Sequence, residues 1–524
     1  MQQTLQLKLL PAEAADDSIV REYIARATGR RGEEITGFEL VKRSLDARGR
    51  QPHIILTLRV FIGEPFRESK PPILSFPDVS RAEKQVIIVG AGPAGLFAAL
   101  RLIEKGIRPV LLERGKDVRS RRRDLATLNK EGIIDPESNY CYGEGGAGTY
   151  SDGKLYTRST KRGDIHRILA LLVQFGAEEN ILYDAHPHIG TNKLPQIIQA
   201  MRQQIRDCGG LFLFEKKVVE LILGDDRIRS VRTADGNSFE GSAVILATGH
   251  SARDIFHLLH QKKILIEAKP FALGVRIEHP QNLVDSIQYG ILREGPRATR
   301  SPYLPPASYS LVDQIDHKGV FSFCMCPGGI IAPAATAEGE LVVNGWSPSK
   351  RNNPYANSGI VVSVEEKDMT AFREQGPLAG LYFQQNVEQA AFRLGGGKFV
   401  APAQRMADFV AQKVSPDLPS CSYLPGIHSA PLKEALPPFI YESLRGAFTA
   451  FGKKMRGYFT NEAVIVATES RTSSPVRIPR DRDTLQHPQV KNLFPCGEGA
   501  GYAGGIVSAA MDGERVADAI AGRE

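Results

Sequence analysis

Cysteine is scarce: six residues in a chain of 524. That is too few to staple a core of this size, and it points to a reducing compartment, expected to be the cytoplasm. Long apolar runs are missing as well. None reaches the roughly 18 residues that a spanning helix needs, which argues against a membrane span. The opening MQQTLQLKLLPAEAADD has no basic stretch leading into an apolar one, so no secretory signal is expected. His186 and His188 stand in AHPHIGTNK without the carboxylate or thiol that would complete a metal site, and no metal is expected. The net charge of +7 invites a nucleic-acid reading. Yet no aromatic residues interleave with the basic runs RSRRR (119–123) and RDR (480–482), so a solvated or phosphate-facing helix is the better account of the first.

What remains is ordinary globular composition, long enough for about two to four cored domains. Residues 1–82 read as a small α+β domain. LQLKLL alternates, DDSIVREYIARATG is a helix opened by Asp16 or Asp17, and ITGFELVKRSLDAR and HIILTLRVFI are strands. Pro65, Pro71, Pro72 and Pro77 then mark a linker.

The stretch QVIIVGAGPAGLFAALRLIEKGIRPVLLERG (85–115) is strand, glycine turn, helix, strand. Val86–Val89 form a β-branched run suited to a parallel strand buried on both faces. Gly90, Gly92 and Gly95 then give GxGxxG, with Pro93 and Ala94 opening the helix. Glu113 and Arg114 close the second strand, Glu113 standing 18 residues after Gly95. Gly90 permits the turn, Gly92 lets backbone reach a pyrophosphate, and Gly95 lets helix and strand pack. The helix N-terminus offers unpaired amides to the phosphates, and Glu113 can accept from a ribose.

A second glycine-rich loop, YGEGGAGTYSDGKLYTR (142–158), separates FAD from NAD. Gly143, Gly145, Gly146 and Gly148 supply accessible amides, and Ser151, Asp152 and Lys154 add directed polar groups. A flavin needs such a loop, because its ribitol and ring system extend beyond the pyrophosphate. Residues 211–250 alternate like a β-meander whose last strand, 243–246, ends in Ala247, Thr248 and Gly249. VKNLFPCGEGAGYAGGIVSAAMDGERVADAI (490–520) is once more strand, loop and helix.

The blocks 85–158, 211–250 and 490–520 together resemble FAD enzymes of the glutathione-reductase type. More specifically, GEGGAGTYSDGKL, FALGVRIEHP (271–280), FCMCPGG (323–329), RTSSPVRIPRD (471–481) and CGEGAGYAGGI (496–506) resemble a bacterial family of uncharacterised FAD-dependent dehydrogenases with plastid relatives. The resemblance covers nearly the whole chain. It implies that Val218 sets its backbone against the adenine and that the strand 243–246 returns to the parallel sheet. Gly497 and Glu498 would bind the ribitol, and Gly504, Gly505 and Ile506 would present a helix N-terminus to the flavin's pyrimidine edge.

The expected fold class is thus α/β. A Rossmann-like FAD-binding domain, of parallel sheet plus β-meander, is built from 83–255 and 461–524. An α+β substrate-side domain, 256–460, is inserted into it, and the small α+β domain lies in front.

Candidates for chemistry are fewer. Arg276 could grip a substrate carboxylate, or form a surface ion pair with Glu278, which shares its strand face while His279 takes the other. Cys324 and Cys326 could be a flavin-linked dithiol, or simply packed small residues. Arg471, Thr472, Ser473 and Ser474 sit where they could bond the flavin's polar edge, and Arg477 could face substrate. His428 is a lone candidate acid. The run RLGGGKF (393–399) has no strand before it, so no second Rossmann unit is present. NAD(P)H would then bind only transiently over the flavin, or electrons would come from substrate or a protein carrier. These features favour a cytoplasmic oxidoreductase with non-covalent FAD, passing hydride to or from a small organic substrate. A flavoprotein acting on RNA and a non-catalytic FAD scaffold or redox sensor are the alternatives.

Overall fold

The computed structural model describes residues 1–49, 51–157, 163–290 and 300–522. Arg158, at the end of the first block named above, lies outside them. Near the N-terminus the strands Gln2–Leu9, Ile35–Asp46 and His53–Ile62 form an antiparallel sheet with the last in the middle. Asp16 caps the helix Asp17–Thr28 by accepting from the Ser18 amide at 2.9 Å. Val20 and Ile24 pack with Leu56, Leu58 and Val60, as the alternation of the strand requires. Arg43 ties this unit to the rest through a bidentate pair with Asp184, at 2.7 and 3.0 Å.

A five-stranded parallel sheet follows, ordered Leu493–Pro495, Ala243–Leu246, Gln85–Val89, Arg108–Leu112, Leu211–Leu213. The β-branched Val86–Val89 run is buried on both faces. The strands Val218–Gly224, Arg227–Thr233 and Ser238–Glu240 make the meander. Helices Pro93–Glu104 and Ile506–Ala521 lie against each other at backbone distance. A Cβ on Gly513 would fall 2.1 Å from the Ala94 carbonyl oxygen, so only glycine allows this approach.

A second, seven-stranded sheet runs Val312–Ile315, Lys318–Pro327, Tyr355–Val364, Phe271–Pro280, Val464–Glu469, Ala401–Arg405, Ile427–Ser429. Here the structure corrects the boundary expected at 461. Val464–Glu469 pairs antiparallel with Phe271–Pro280 and so is a strand of the inserted sheet. Along Phe271–Pro280, Val275 and Ile277 enter a core with Leu444, Phe448 and Phe451 of the helix Pro438–Lys454. The alternate residues Gly274, Arg276 and Glu278 face the other way.

That packing also corrects the surface ion pair expected of Arg276 and Glu278: both are buried, and Arg276 pairs with Glu469 instead. The run 119–123 is not wholly solvated either. Arg121 is fully buried and donates to the carbonyls of Asn139, Tyr140 and Glu144, which removes the centre of the basic run from any nucleic-acid surface. Among the described residues no helix is long and apolar enough to cross a membrane.

Candidate functional site

The C-terminal ends of Gln85–Val89, Arg108–Leu112 and Ala243–Leu246 open onto a cavity of about 380 Å³, whose opposite wall carries Phe323, Cys324 and Asn344 from the second sheet and its neighbouring hairpin. Gly90 turns the chain at φ 106°, where a Cβ would meet the Ala247 carbonyl at 2.5 Å. Gly92, Pro93 and Ala94 line the cavity at the start of the helix Pro93–Glu104. Gly146, Gly148, Ser151, Asp152 and Lys154 line it from the second loop, and Val218, Ala247, Thr248 and Gly249 from the meander and the returning strand. Glu498, Gly504, Gly505 and Ile506 close it at the N-terminus of Ile506–Ala521.

Four of the expected residues stand behind this lining. A Cβ on Gly95 would come within 2.0 Å of the Gly90 carbonyl, and one on Gly145 within 2.1 Å of Thr149 Oγ1. Gly497 donates its amide to Asp512 at 2.8 Å, and Ser473 Oγ lies 3.4 Å from Lys269 Nζ. The first three serve packing beneath the site.

Glu113 organises the turn as well as facing the cavity. Its Oε2 accepts from the Ala91 amide at 2.9 Å, and its Oε1 from Gly115 at 2.9 Å and Gly143 at 3.0 Å. The carboxylate thus welds the two glycine loops together and retains acceptor capacity on Oε2. Arg114 lies 4.0 Å above the Tyr142 ring and pairs with Glu137 and Asp254; Lys217 joins Glu137 at 2.6 Å. Tyr142, Lys217 and Asp254 also line the cavity. Lys217 and Asp254 lie outside the glycine motifs, and Tyr142, though it opens one, offers no signal in sequence beyond that position.

On the other wall Asp152 pairs with Arg351 at 2.6 Å and Lys154 at 3.7 Å, and it accepts from Ser347. Burial works against its charge, but the two cations hold its carboxyl at about 2. Arg471 and Arg253 share Glu388 and Glu340 in a buried four-residue network with contacts of 2.9–3.1 Å. Against the penalty of burial, the two guanidiniums keep Glu388 at about 2. Arg471 and Thr472 line the cavity. His250 Nδ1 stands 3.5 Å from Glu498. A recess of about 40 Å³ adjoins here, sharing His250, Asn344 and Arg471 and adding Tyr140, Trp346 and Glu469.

Of the candidates for chemistry, Arg276, Arg477, Cys326 and His428 are not part of this lining. The Arg276 guanidinium is spent on Glu469 at 2.6 Å, Asn357 at 2.7 Å, Asn344 at 3.2 Å and the Cys324 carbonyl at 3.2 Å, leaving no fork for a substrate carboxylate. Arg477 is exposed and lies over the Tyr502 ring. Cys326 is fully buried behind Cys324, which does reach the cavity. His428 is exposed on the strand Ile427–Ser429 and is not part of the lining.

Comparison with known proteins adds the following. The chain matches the family described as FAD-dependent protein, C-terminal domain-like over 270–472 and the FAD binding domain over 83–128. It also matches glucose inhibited division protein A over 194–284 and a domain of unknown function over 1–61. A protein of Clostridium beijerinckii, described as uncharacterized, is 38% identical over 526 residues, covering 96% of each chain. Among solved structures, 2,6-dihydroxypyridine-3-hydroxylase from Arthrobacter nicotinovorans is 13% identical, with 84% of each chain covered and a TM-score of 0.36. CtdE in complex with FAD and a substrate is 11% identical, covering 84% of this chain and 82% of that one, at a TM-score of 0.34. No activity passes to this chain from likenesses so distant. FAD is the cofactor, and the lining suits it: a Cβ at Gly92, Gly249, Gly504 or Gly505 would meet no atom within 4 Å, so backbone lies bare along the cavity where a large ligand must come close.

Proposed function

We propose that this chain, which belongs to a family of FAD-dependent proteins, is an oxidoreductase that holds FAD non-covalently along this cavity and moves hydride between it and an organic substrate. The observation that carries the reading is that two helix N-termini and a row of bare glycines converge on one cavity. FAD, when bound, supplies the two-electron chemistry.

The chain's own groups divide the remaining work. Glu113, Arg114, Lys217 and Val218 would hold the adenosine part. The amides of Gly92, Pro93's helix and Gly146 would take the pyrophosphate. Ser151, Lys154, Thr472 and Glu498, with the amides following Gly504 and Gly505, would surround the ring system. The helix Ile506–Ala521 would then favour negative charge on the ring. Arg471 would be positioned by Glu388 and Glu340 at the mouth of the recess. That recess would take the reacting end of a small polar substrate, and His250, steadied by Glu498, would carry the accompanying proton.

Two lysine variants test the orientation. Lys217→Met is expected to weaken FAD binding and leave the flavin's reduction potential unchanged. Lys154→Met is expected to leave binding within a few-fold and lower the potential, because a cation near the ring stabilises its reduced anion. The reverse pattern contradicts the proposed direction of the cofactor.

A further inference from the structure

The hydride reading leaves one buried reactive cluster unused. Lys154 Nζ lies 3.9 Å from Cys324 Sγ and 3.8 Å from Cys326 Sγ, and donates to the carbonyl of Met325 between them. In a regular strand, residues i and i+2 stand roughly 6.5 Å apart on one face. Here the strand is broken. Pairing of Lys318–Pro327 with Tyr355–Val364 shifts register between Phe323 and Cys326, and Cys324 adopts φ 45°, a left-handed conformation that a residue with a Cβ avoids. Arg276, held by Glu469, donates to the Cys324 carbonyl and fixes that conformation. The outcome is two thiols gathered on one ammonium, Cys324 at the cavity and Cys326 behind it.

We propose that Cys324 and Cys326 form a dithiol–disulfide couple that exchanges two electrons with the bound flavin and passes them to the disulfide of a substrate. This rests on the FAD reading above. The Cys324 thiolate attacks one sulfur of a substrate disulfide and expels the other as a thiolate. Cys326 then attacks Cys324, releases the second substrate sulfur and gives up its proton. The pair ends as a disulfide, and the substrate's two sulfurs hold the electron pair. Re-reduction returns one thiolate and one thiol, consuming two electrons and one proton, which reduced FAD supplies.

The electrostatics agree with this division of labour. Interaction with the Cys326 thiol, which donates to the Cys324 carbonyl at 3.2 Å, draws the Cys324 thiol well below the ordinary thiol range despite burial, with Lys154 and Arg276 assisting. The same interaction, with burial, pushes Cys326 well above it, as a resolving thiol requires. Cys421, equally half-buried but beside Glu278, is pushed up by burial and is the internal control.

The test is a reductive titration of oxidised holoprotein, with FAD per chain read first from the visible spectrum. Wild type is expected to take up four electrons per FAD, and C324S and C326S two. Acid-quenched, alkylated samples are expected to show a 324–326 disulfide before reduction and two free thiols after, with Cys421 free in both. Reduced wild type, freed of reductant, is expected to consume two equivalents of cystamine per chain more than C324S does, one from the dithiol and one passed through it from reduced FAD. Uptake of two electrons by wild type, with both thiols alkylated in the oxidised sample, overturns the couple. Equal cystamine consumption overturns the disulfide substrate. Protein lacking FAD fails the cofactor reading instead, and the thiol count then stands apart from it.

Discussion

Two glycines three positions apart should fail in opposite ways. At Gly95 a Cβ would sit 2.0 Å from the Gly90 carbonyl oxygen and 3.2 Å from both its carbon and Ile88 Cγ2. The obstacle is backbone, so the helix Pro93–Glu104 must retreat from the strand Gln85–Val89. Overpacking of this kind costs about 1–3 kcal/mol, and Gly95→Ala should lower the stability of the apoprotein by at least that. At Gly92 a Cβ would meet nothing within 4 Å and φ is −76°, ordinary for alanine. Gly92→Ala should therefore cost the apoprotein no more than about 1 kcal/mol, the difference between glycine and alanine at an N-cap. On the placement proposed above, the methyl would instead project into the space where the pyrophosphate would reach the amides. Losing one charge-assisted hydrogen bond, worth roughly 1.5–3 kcal/mol, weakens FAD about 10- to 150-fold. Denaturant melts of apoprotein and fluorescence titration with FAD separate the two effects. Wild-type FAD affinity in Gly92→Ala would refute the placement of the pyrophosphate, and wild-type stability in Gly95→Ala would refute the close packing.

Other expectations follow from the buried charges. Arg276→Met strands the Glu469 carboxylate, at 2.6 Å from its cation in the native protein, and should cost about 3–5 kcal/mol; Arg276→Met with Glu469→Met should recover much of it, and a melt unchanged in the single variant would deny the burial. Burial raises Glu278 to about 7, with the Ser422 hydroxyl and amide only partly offsetting it. The folded state thus holds this proton more tightly than the unfolded chain. Stability from this group is fullest below pH 4.5, falls as pH rises and levels off above 7, by about 3 kcal/mol in all. Glu278→Gln should abolish that slope, and parallel pH–stability profiles for the two proteins would contradict it.

The dinucleotide unit was legible because its signals are local. The run Val86–Val89, the glycines at 90, 92 and 95 and the acid at 113 all fall within one β-α-β stretch, and the meander and the strand Leu493–Pro495 are read from alternation and turns. The second sheet was not legible in the same way. Val464–Glu469 follows the helix Pro438–Lys454 and stands next to the C-terminal motifs, so proximity in sequence assigned it to the wrong sheet; its partner is some 190 residues earlier and no local pattern announces that pairing. The same holds for charge. Arg276 reads as an available guanidinium until Glu469 and Asn357 are brought to it, and the Arg253, Glu340, Glu388, Arg471 network joins four distant segments. Lys154 and Cys324, 170 residues apart, give no hint in sequence of sharing a contact.

The central claim is that this cavity holds FAD and that the flavin turns over. The direct measurement is the visible spectrum of the purified protein, before and after adding FAD, and again with NADPH under anaerobic conditions. The account predicts a flavin band present at purification or restored by FAD, in about one equivalent per chain. The band should bleach with NADPH if a nicotinamide feeds the site, or persist until an organic donor or protein carrier is supplied. A protein that neither carries the band nor acquires it on adding FAD would contradict the account at its root.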